Sequence, residues 1–251
     1  MKLLKEMNNN SEITACVLIL GNEILSGKTQ DTNLKYLGLE LAKLGIKLSE
    51  SRVLPDEKEI IISAINECRK KYTYIFTTGG IGPTHDDITA ECIADAFNLD
   101  LEISNDAVNK IMSNPKKGYE LNEARLKMAT LPSGAKLIDN PLSYAPGFMI
   151  ENVYVLAGIP SVAKAMFETF RNELKNNSPI ESESIDIYIR EGDIANPLSL
   201  IAKKYTNLDI GSYPFSRKGK YGASIVVRGR DKELIKSVIN EITIAMKNIT
   251  S

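Results

Sequence analysis

Cysteine is scarce in this chain of 251 residues. Cys16, Cys68 and Cys92 are its three, far apart, each inside an apolar, periodic segment. They form no Cys-x-x-Cys pair, so the expectation is three buried thiols in a reducing compartment. Net charge is nearly absent as well: 31 Lys and Arg face 32 Asp and Glu. That balance supplies no electrostatic reason for nucleic-acid or membrane-surface binding, and neither is expected as a partner. Long hydrophobic runs are missing. The run Ile13–Leu20 is too short to span a bilayer and is broken at once by Gly21-Asn22-Glu23, so a buried strand fits it better than a targeting segment. Cytoplasmic residence is the default expectation. No internal repeat or low-complexity tract is present, and 43% apolar with 25% charged residues is ordinary globular composition.

What is there is an alternation of strands and helices. Residues 1–11, polar and Asn-rich, read as a loose tail. Ala15–Leu20 is a continuous apolar run, as for a strand buried on both faces. Asp31-Thr32-Asn33 then offers helix-starting side chains, with Leu34, Leu37, Leu41 and Leu44 at helical spacing until Gly45. Ile46–Val53 reads as a second strand. Ile60, Ile61, Ala64, Ile65 and Cys68 mark the apolar face of a second helix. Tyr72–Thr78 is a third strand, followed by a glycine-rich segment and a helix with Ile88, Cys92, Ile93, Ala96 and Phe97 inward. This rhythm predicts α/β architecture, a mostly parallel sheet in three α/β/α layers.

Residues 103–130 read as helical with a break at Asn114-Pro115 and a polar patch at Lys116-Lys117-Gly118. Short strands flank the turns at 139–141 and 145–147. Val153–Ala157 is a further buried strand and Ser161–Leu174 an amphipathic helix. After a polar linker at 175–184 comes a strand–helix–strand–strand–helix pattern, read as a small α+β domain over 184–250. The main domain is expected over 12–175.

The segment from Ile75 to Thr89 carries the most chemistry. A strand ends at Thr77-Thr78, and Gly79, Gly80 and Gly82 fall within four positions. A helix is expected to start near Asp86-Asp87. Glycines permit positive φ and let a ligand approach the backbone. Exposed turn amides beside a helix N-terminus favour an anion, typically phosphate. Thr78, Thr84 and Thr89 add hydroxyls, and the place agrees with ligand binding at strand C-termini. Glycine spacing alone fits an ordinary tight turn equally well, and one Asp would suffice as a cap. Two adjacent carboxylates beside a phosphate turn would repel the ligand unless a cation lies between them. A divalent, Mg²⁺-like ion on Asp86 and Asp87, joined by Glu23, resolves the conflict. His85, the single histidine, sits in this loop and is read as a ligand contact rather than a general base.

Three other segments sit where strands end: Gly21-Asn22-Glu23 with Asp31-Thr32-Asn33, Asn140-Pro141 with Ala145-Pro146-Gly147, and Gly158-Ile159-Pro160-Ser161. From these Asn33, Asn140, Pro146, Gly147, Gly158 and Pro160 are candidate ligand contacts. For the first, a plain helix cap by Asp31 or Thr32 is the favoured reading of the spacing. A late stretch, Gly211-Ser212-Tyr213-Pro214 with Ser216-Arg217-Lys218 and Lys220, reads as a solvated hairpin.

Taken together these segments resemble the molybdopterin-binding (MoaB/Mog-like) domain family, in its CinA-like version from competence/damage-inducible proteins. The ordered string from Thr77 to Thr89 is the most specific part. The resemblance implies a three-layer fold, a nucleotide or pterin diphosphate as ligand, a homo-oligomer, and one of two activities. One is metal-dependent hydrolysis of ADP-ribose- or FAD-type diphosphates, with Asp86 and Asp87 as catalytic residues. The other is adenylyl transfer to molybdopterin. A binding module without turnover is a third reading. The adenylylating branch usually carries Arg-Asp where this chain has Asp86-Asp87, which favours hydrolysis. His85 stands where a lysine or other polar residue is common. The C-terminal tail resembles the small second domain of FAD-synthetase-linked chains.

Overall fold

The computed structural model describes residues 12–116, 120–217, 219–247 and 249. The expected tail at 1–11, Lys117-Gly118 of the polar patch and Lys218 of the late hairpin lie outside the described residues. The chain divides into two compact units: the described residues up to Leu41 with Ile46–Asn177, and Ala42–Gly45 with the described residues from Ser178 onward.

The first unit runs β1 (Thr14–Leu20), α1 (Asn22–Leu25), α2 (Asn33–Lys43), β2 (Lys47–Leu54), α3 (Lys58–Lys71), β3 (Tyr74–Thr78), α4 (Thr89–Phe97), β4 (Leu101–Ile103), α5 (Asn105–Met112), α6 (Glu123–Met128), β5 (Thr130–Pro132), β6 (Lys136–Ile138), β7 (Gly147–Ile150), β8 (Val153–Leu156) and α7 (Pro160–Phe170). Its main sheet has the order β2-β1-β3-β8-β7-β6. The pairs β1–β2, β1–β3 and β3–β8 are parallel, while β8–β7 and β7–β6 are antiparallel. The mostly parallel expectation holds.

Position in the sheet explains the sequence of each strand. β1 lies inside, and Ala15 to Leu20 are all buried. β2 forms an edge and alternates exposed with half-buried residues, so Lys47, Glu50 and Arg52 are tolerated there. One face of the sheet packs Cys16, Leu18, Ile75 and Val155 against Ile61 and Ile65 of α3 and Cys92 and Ile93 of α4. On the other, Phe76 meets Phe167 and Phe170 of α7, and Phe167 meets Tyr36 of α2. Burying each such side chain contributes about 1.5–3 kcal/mol. Helices therefore cover both faces, which makes the three layers. All three cysteines are free and buried.

The stretch 103–130 departs from the helical expectation. Among the described residues there, α5 and α6 are the helices, capped by Ser104 and Asn122 side chains. β4 and β5 pair as a separate two-stranded antiparallel sheet. Each is three residues long, too short to show a period of two.

The second unit has β9 (Glu181–Ile187), α8 (Glu191–Lys204), β10 (Asp209–Arg217), β11 (Lys220–Gly229) and α9 (Lys232–Lys247). Its sheet is antiparallel in the order β10-β11-β9, and its core is built by Ile187, Ile194, Ile225, Val227, Val238 and Ile242. The late polar patch is the β10–β11 hairpin, as expected. Among the described residues no helix is long and apolar enough to cross a membrane.

Candidate functional site

Ten residues, 79–88, separate the end of β3 from the start of α4. Gly79 and Gly80 adopt φ 104 and 66, conformations that L side chains rarely take. At Gly79 a Cβ would also lie 2.2 Å from the Leu20 carbonyl oxygen, so only glycine fits against β1. Gly79 N–H donates to Leu156 O at 3.1 Å, and Thr89 N–H to Gly80 O at 3.0 Å. The Thr89 hydroxyl donates to Gly79 O at 3.0 Å and is fully buried. Thr89 therefore braces the turn from behind instead of facing a ligand.

The helix start is corrected from Asp86-Asp87 to Thr89, and neither Asp caps it: the residue before the helix, Ile88, makes no side-chain cap bond. The reason is a second, smaller turn. Asp87 Oδ2 accepts from Thr84 N at 2.8 Å and from the Thr84 hydroxyl at 2.5 Å, and Asp87 N–H donates back to Thr84 O at 3.3 Å. Both side-chain bonds fall on Oδ2 and leave Oδ1 for another partner. Asp86 is exposed. The nearby Thr84 hydroxyl and its own backbone amide hold its carboxyl below the usual carboxylate range, with the charges of His85 and Lys127 adding. His85 projects into solvent, its side chain 99% exposed, with Nδ1 4.0 Å from Asp86 Oδ1.

Beside this turn lies a cavity of about 150 Å³. Gly80, Gly82, His85, Asp87 and Glu91 supply its polar side, and Ile81, Ile88, Leu101, Met128, Leu131, Pro146 and Phe148 its apolar walls. Glu91 is balanced by Lys58, at 2.5 Å. Lys127 also lines the cavity, and its ammonium donates to the Thr84 carbonyl. No sequence signal pointed to Lys127, because nothing local says that α6 lies against residue 84.

A second cluster sits at the same strand ends. Asn33, buried at the start of α2, donates from Nδ2 to Gly158 O at 2.8 Å. Gly158 abuts Gly79, whose Cα lies 3.2 Å from where a Gly158 Cβ would be. Pro160 opens α7, whose N-terminus carries no side-chain cap. Asp31 caps α2, accepting from Leu34 N at 2.9 Å, the plain reading favoured from spacing. The Thr78 hydroxyl is 1% exposed and, with that of Thr77, has no hydrogen-bond partner among the described residues. Asn140 uses its amide within its own loop: Oδ1 accepts from Leu142 and Ser143 N–H, and Nδ2 donates to Ser143 Oγ and Ala145 O. Gly147 is buried where a Cβ would meet Met166 and Val155 O, both at 2.3 Å. Asn140 and Gly147 thus shape the pocket wall while Pro146 faces the cavity. Glu23 folds back over Gly21. Among the described residues no three His, Cys, Asp or Glu converge on a metal-sized site.

Comparison with known families places this geometry. Residues 16–176 match the model described as "Probable molybdopterin binding domain". The chain belongs to that family. As a molybdopterin-binding-domain protein it carries a second match, over residues 179–250, to "FAD synthase, middle domain". A protein of Archaeoglobus fulgidus is 32% identical over 225 residues, spanning 90% of this chain and 94% of that relative. One of Sulfolobus acidocaldarius is 34% identical over 246 residues, 93% of each chain. The crystal structure of CinA from Thermoplasma acidophilum, a protein whose function is given as unknown, superposes with a TM-score of 0.60 at 31% identity, covering 64% of this chain and 98% of that one. The MoaB/Mog-like and CinA-like resemblance read from the motifs is therefore correct.

Proposed function

We propose that the glycine turn and the adjoining cavity bind a nucleotide or pterin diphosphate, and that the chain hydrolyses the phosphoanhydride of an ADP-ribose- or FAD-type substrate with a divalent cation. The observation that carries this reading is Asp87: its carboxylate lines the cavity, is fixed through one oxygen, and has the other oxygen free beside turn amides suited to phosphate. A carboxylate so placed repels a diphosphate unless a cation intervenes. The donors fit a hard ion of the Mg²⁺ type, which binds through one or two carboxylates and takes its remaining oxygens from phosphate and water. Asp87 would hold it, assisted by Asp86 and, after movement of its side chain, Glu23. Such an ion supplies charge neutralisation at phosphoryl oxygens and a water of lowered pKa.

The chain's own residues do the rest. The amides of Gly80 and Gly82 orient the phosphate, while that of Gly79 is already bonded to the Leu156 carbonyl; Thr84 keeps Asp87 in one rotamer, and the apolar walls exclude water from one side. At about 150 Å³ the cavity is smaller than the ~300–1,000 Å³ that encloses a drug-sized ligand, so it suits one ring or one phosphate of the substrate at a time. The match to a FAD synthase middle domain supports a flavin nucleotide as one substrate to test.

The test is a panel of ADP-ribose, FAD, NAD and ATP with Mg²⁺, Mn²⁺ or Co²⁺, read by released mononucleotide. Release from at least one diphosphate, dependent on metal, is expected. A pterin acceptor supplied with ATP distinguishes adenylyl transfer, which the family description favours as the second reading. Ligand-induced thermal stabilisation without any product would instead mark a binding module.

A further inference from the structure

Lys127 was not among the residues that motifs singled out, yet it is the ammonium that lines the cavity. It comes from the last turn of α6, and its stem is half-buried there. Its hydrogen-bond partner is a neutral group, the Thr84 carbonyl. An ammonium has three donors, and a carbonyl engages one of them. Glu91, the other acidic wall residue besides Asp87, already has Lys58 as its counter-ion. Among the described residues no salt bridge joins Lys127 to Asp86 or Asp87, so its ammonium lines the cavity beside the residue 84–87 turn with donors to spare.

We propose that Lys127 positions the ligand's phosphate, giving up the Thr84 carbonyl for a phosphoryl oxygen as the ligand enters. This rests on the reading that the cavity takes a phosphate-bearing ligand, and adds the residue that recognises its charge. The exchange is favourable in kind, because hydrogen bonds with an ionised acceptor are about twice as strong as those with a neutral one. It also reaches Asp87: the Thr84 whose carbonyl Lys127 holds is the residue whose N–H and hydroxyl hold the Asp87 carboxylate. Capture of phosphate by Lys127 therefore loosens the small turn just when Asp87 has to accept a new partner.

The experiment titrates ADP and, separately, inorganic pyrophosphate, each with Mg²⁺ present, into the full chain by calorimetry over a range of salt concentrations. Wild type, Lys127→Met and Lys127→Arg are compared, with thermal melts of each. Expected is a loss of about 10- to 100-fold in affinity for both probes in Lys127→Met, a shallower dependence of log Kd on log salt, and affinity close to wild type in Lys127→Arg. In turnover assays the change should appear in KM more than in kcat. A Lys127→Met protein that melts lower but binds both probes like wild type, with the same salt dependence, overturns the proposal and leaves Lys127 a brace between α6 and Thr84. Wild type binding pyrophosphate but not ADP keeps Lys127 and removes the nucleotide reading; wild type binding neither removes both.

Discussion

Two groups of carboxylates in the first unit are held in different ways. On the outer strand of the sheet, Glu50 accepts bonds from the Tyr72 hydroxyl, from Arg52 Nε at 2.5 Å and from Lys71 Nζ at 3.0 Å, while Arg52 also holds Glu67 at 2.7 Å. Those donors drive the Glu50 carboxyl down to about 2, Tyr72 contributing most. At the turn before α4, Asp87 is held through one oxygen by neutral donors of Thr84 alone. A carboxylate whose charge is matched by its own neighbours has nothing left to offer a ligand. One held by neutral donors, with no salt bridge among the described residues and a cavity beside it, is the arrangement that functional sites use. The contrast gives Glu50 a stabilising role and supports the chemistry proposed for Asp87.

The most direct way to break that assignment is Asp87→Asn. The amide oxygen still accepts from Thr84, so the fold should survive, while the charge is gone. Diphosphate hydrolysis should fall by at least about 10²-fold, with the circular dichroism spectrum and melting temperature near wild type; near-normal turnover would sink the assignment. A subtler variant leaves the carboxylate in place and moves it. At Gly82 a Cβ would sit 2.6 Å from Asp87 Oδ2, so Gly82→Ala must push the carboxylate off Thr84. Because misplacement by about 1 Å can cost up to ~10²-fold, kcat should drop by roughly one order of magnitude, with little change in the urea midpoint.

Much of this contrast could be read along the chain, and the unreadable part has a physical cause. The parallel strands announced themselves because β1 and β3 are buried on both faces and so appear as unbroken apolar runs. The glycine turn was legible because φ 104 at Gly79, packed on the Leu20 carbonyl, leaves no other residue type. The role of Asp87 was half legible: the sequence shows two adjacent carboxylates, but a cap and a Thr84-bound turn look alike until the helix start is known. Lys127, β4 and β5 were hidden, since the first depends on a contact 43 residues away in sequence and the strands are too short to show a period. The same holds for Glu50: its partners Tyr72 and Lys71 come from the far end of α3, and no spacing rule brings them to β2.

The stability half of the comparison is tested by Arg52→Met, which leaves Glu50 and Glu67 with one cation fewer. These side chains are partly exposed, 25% for Arg52 and 23% for Glu50, so solvent screens them and the loss should be about 1 kcal/mol in urea unfolding, with hydrolysis unchanged.

The smallest and sharpest effect is in pH. A carboxyl whose pKa is lower folded than unfolded binds fewer protons in the folded state, so its contribution is complete above the unfolded value and disappears as pH falls through the folded one. For Glu50 that window runs from the ordinary 4.5 down to about 2. Wild type and Glu50→Gln should therefore differ most in denaturation midpoint near pH 6 and converge as pH approaches 2, the variant having no charge there to lose. A gap that stays constant from pH 6 to pH 2 would mean that Glu50 acts by packing and hydrogen bonding alone. In that case the edge network is no electrostatic counterpart to Asp87, and only the neutral donors that hold Asp87 at the turn remain to distinguish the two.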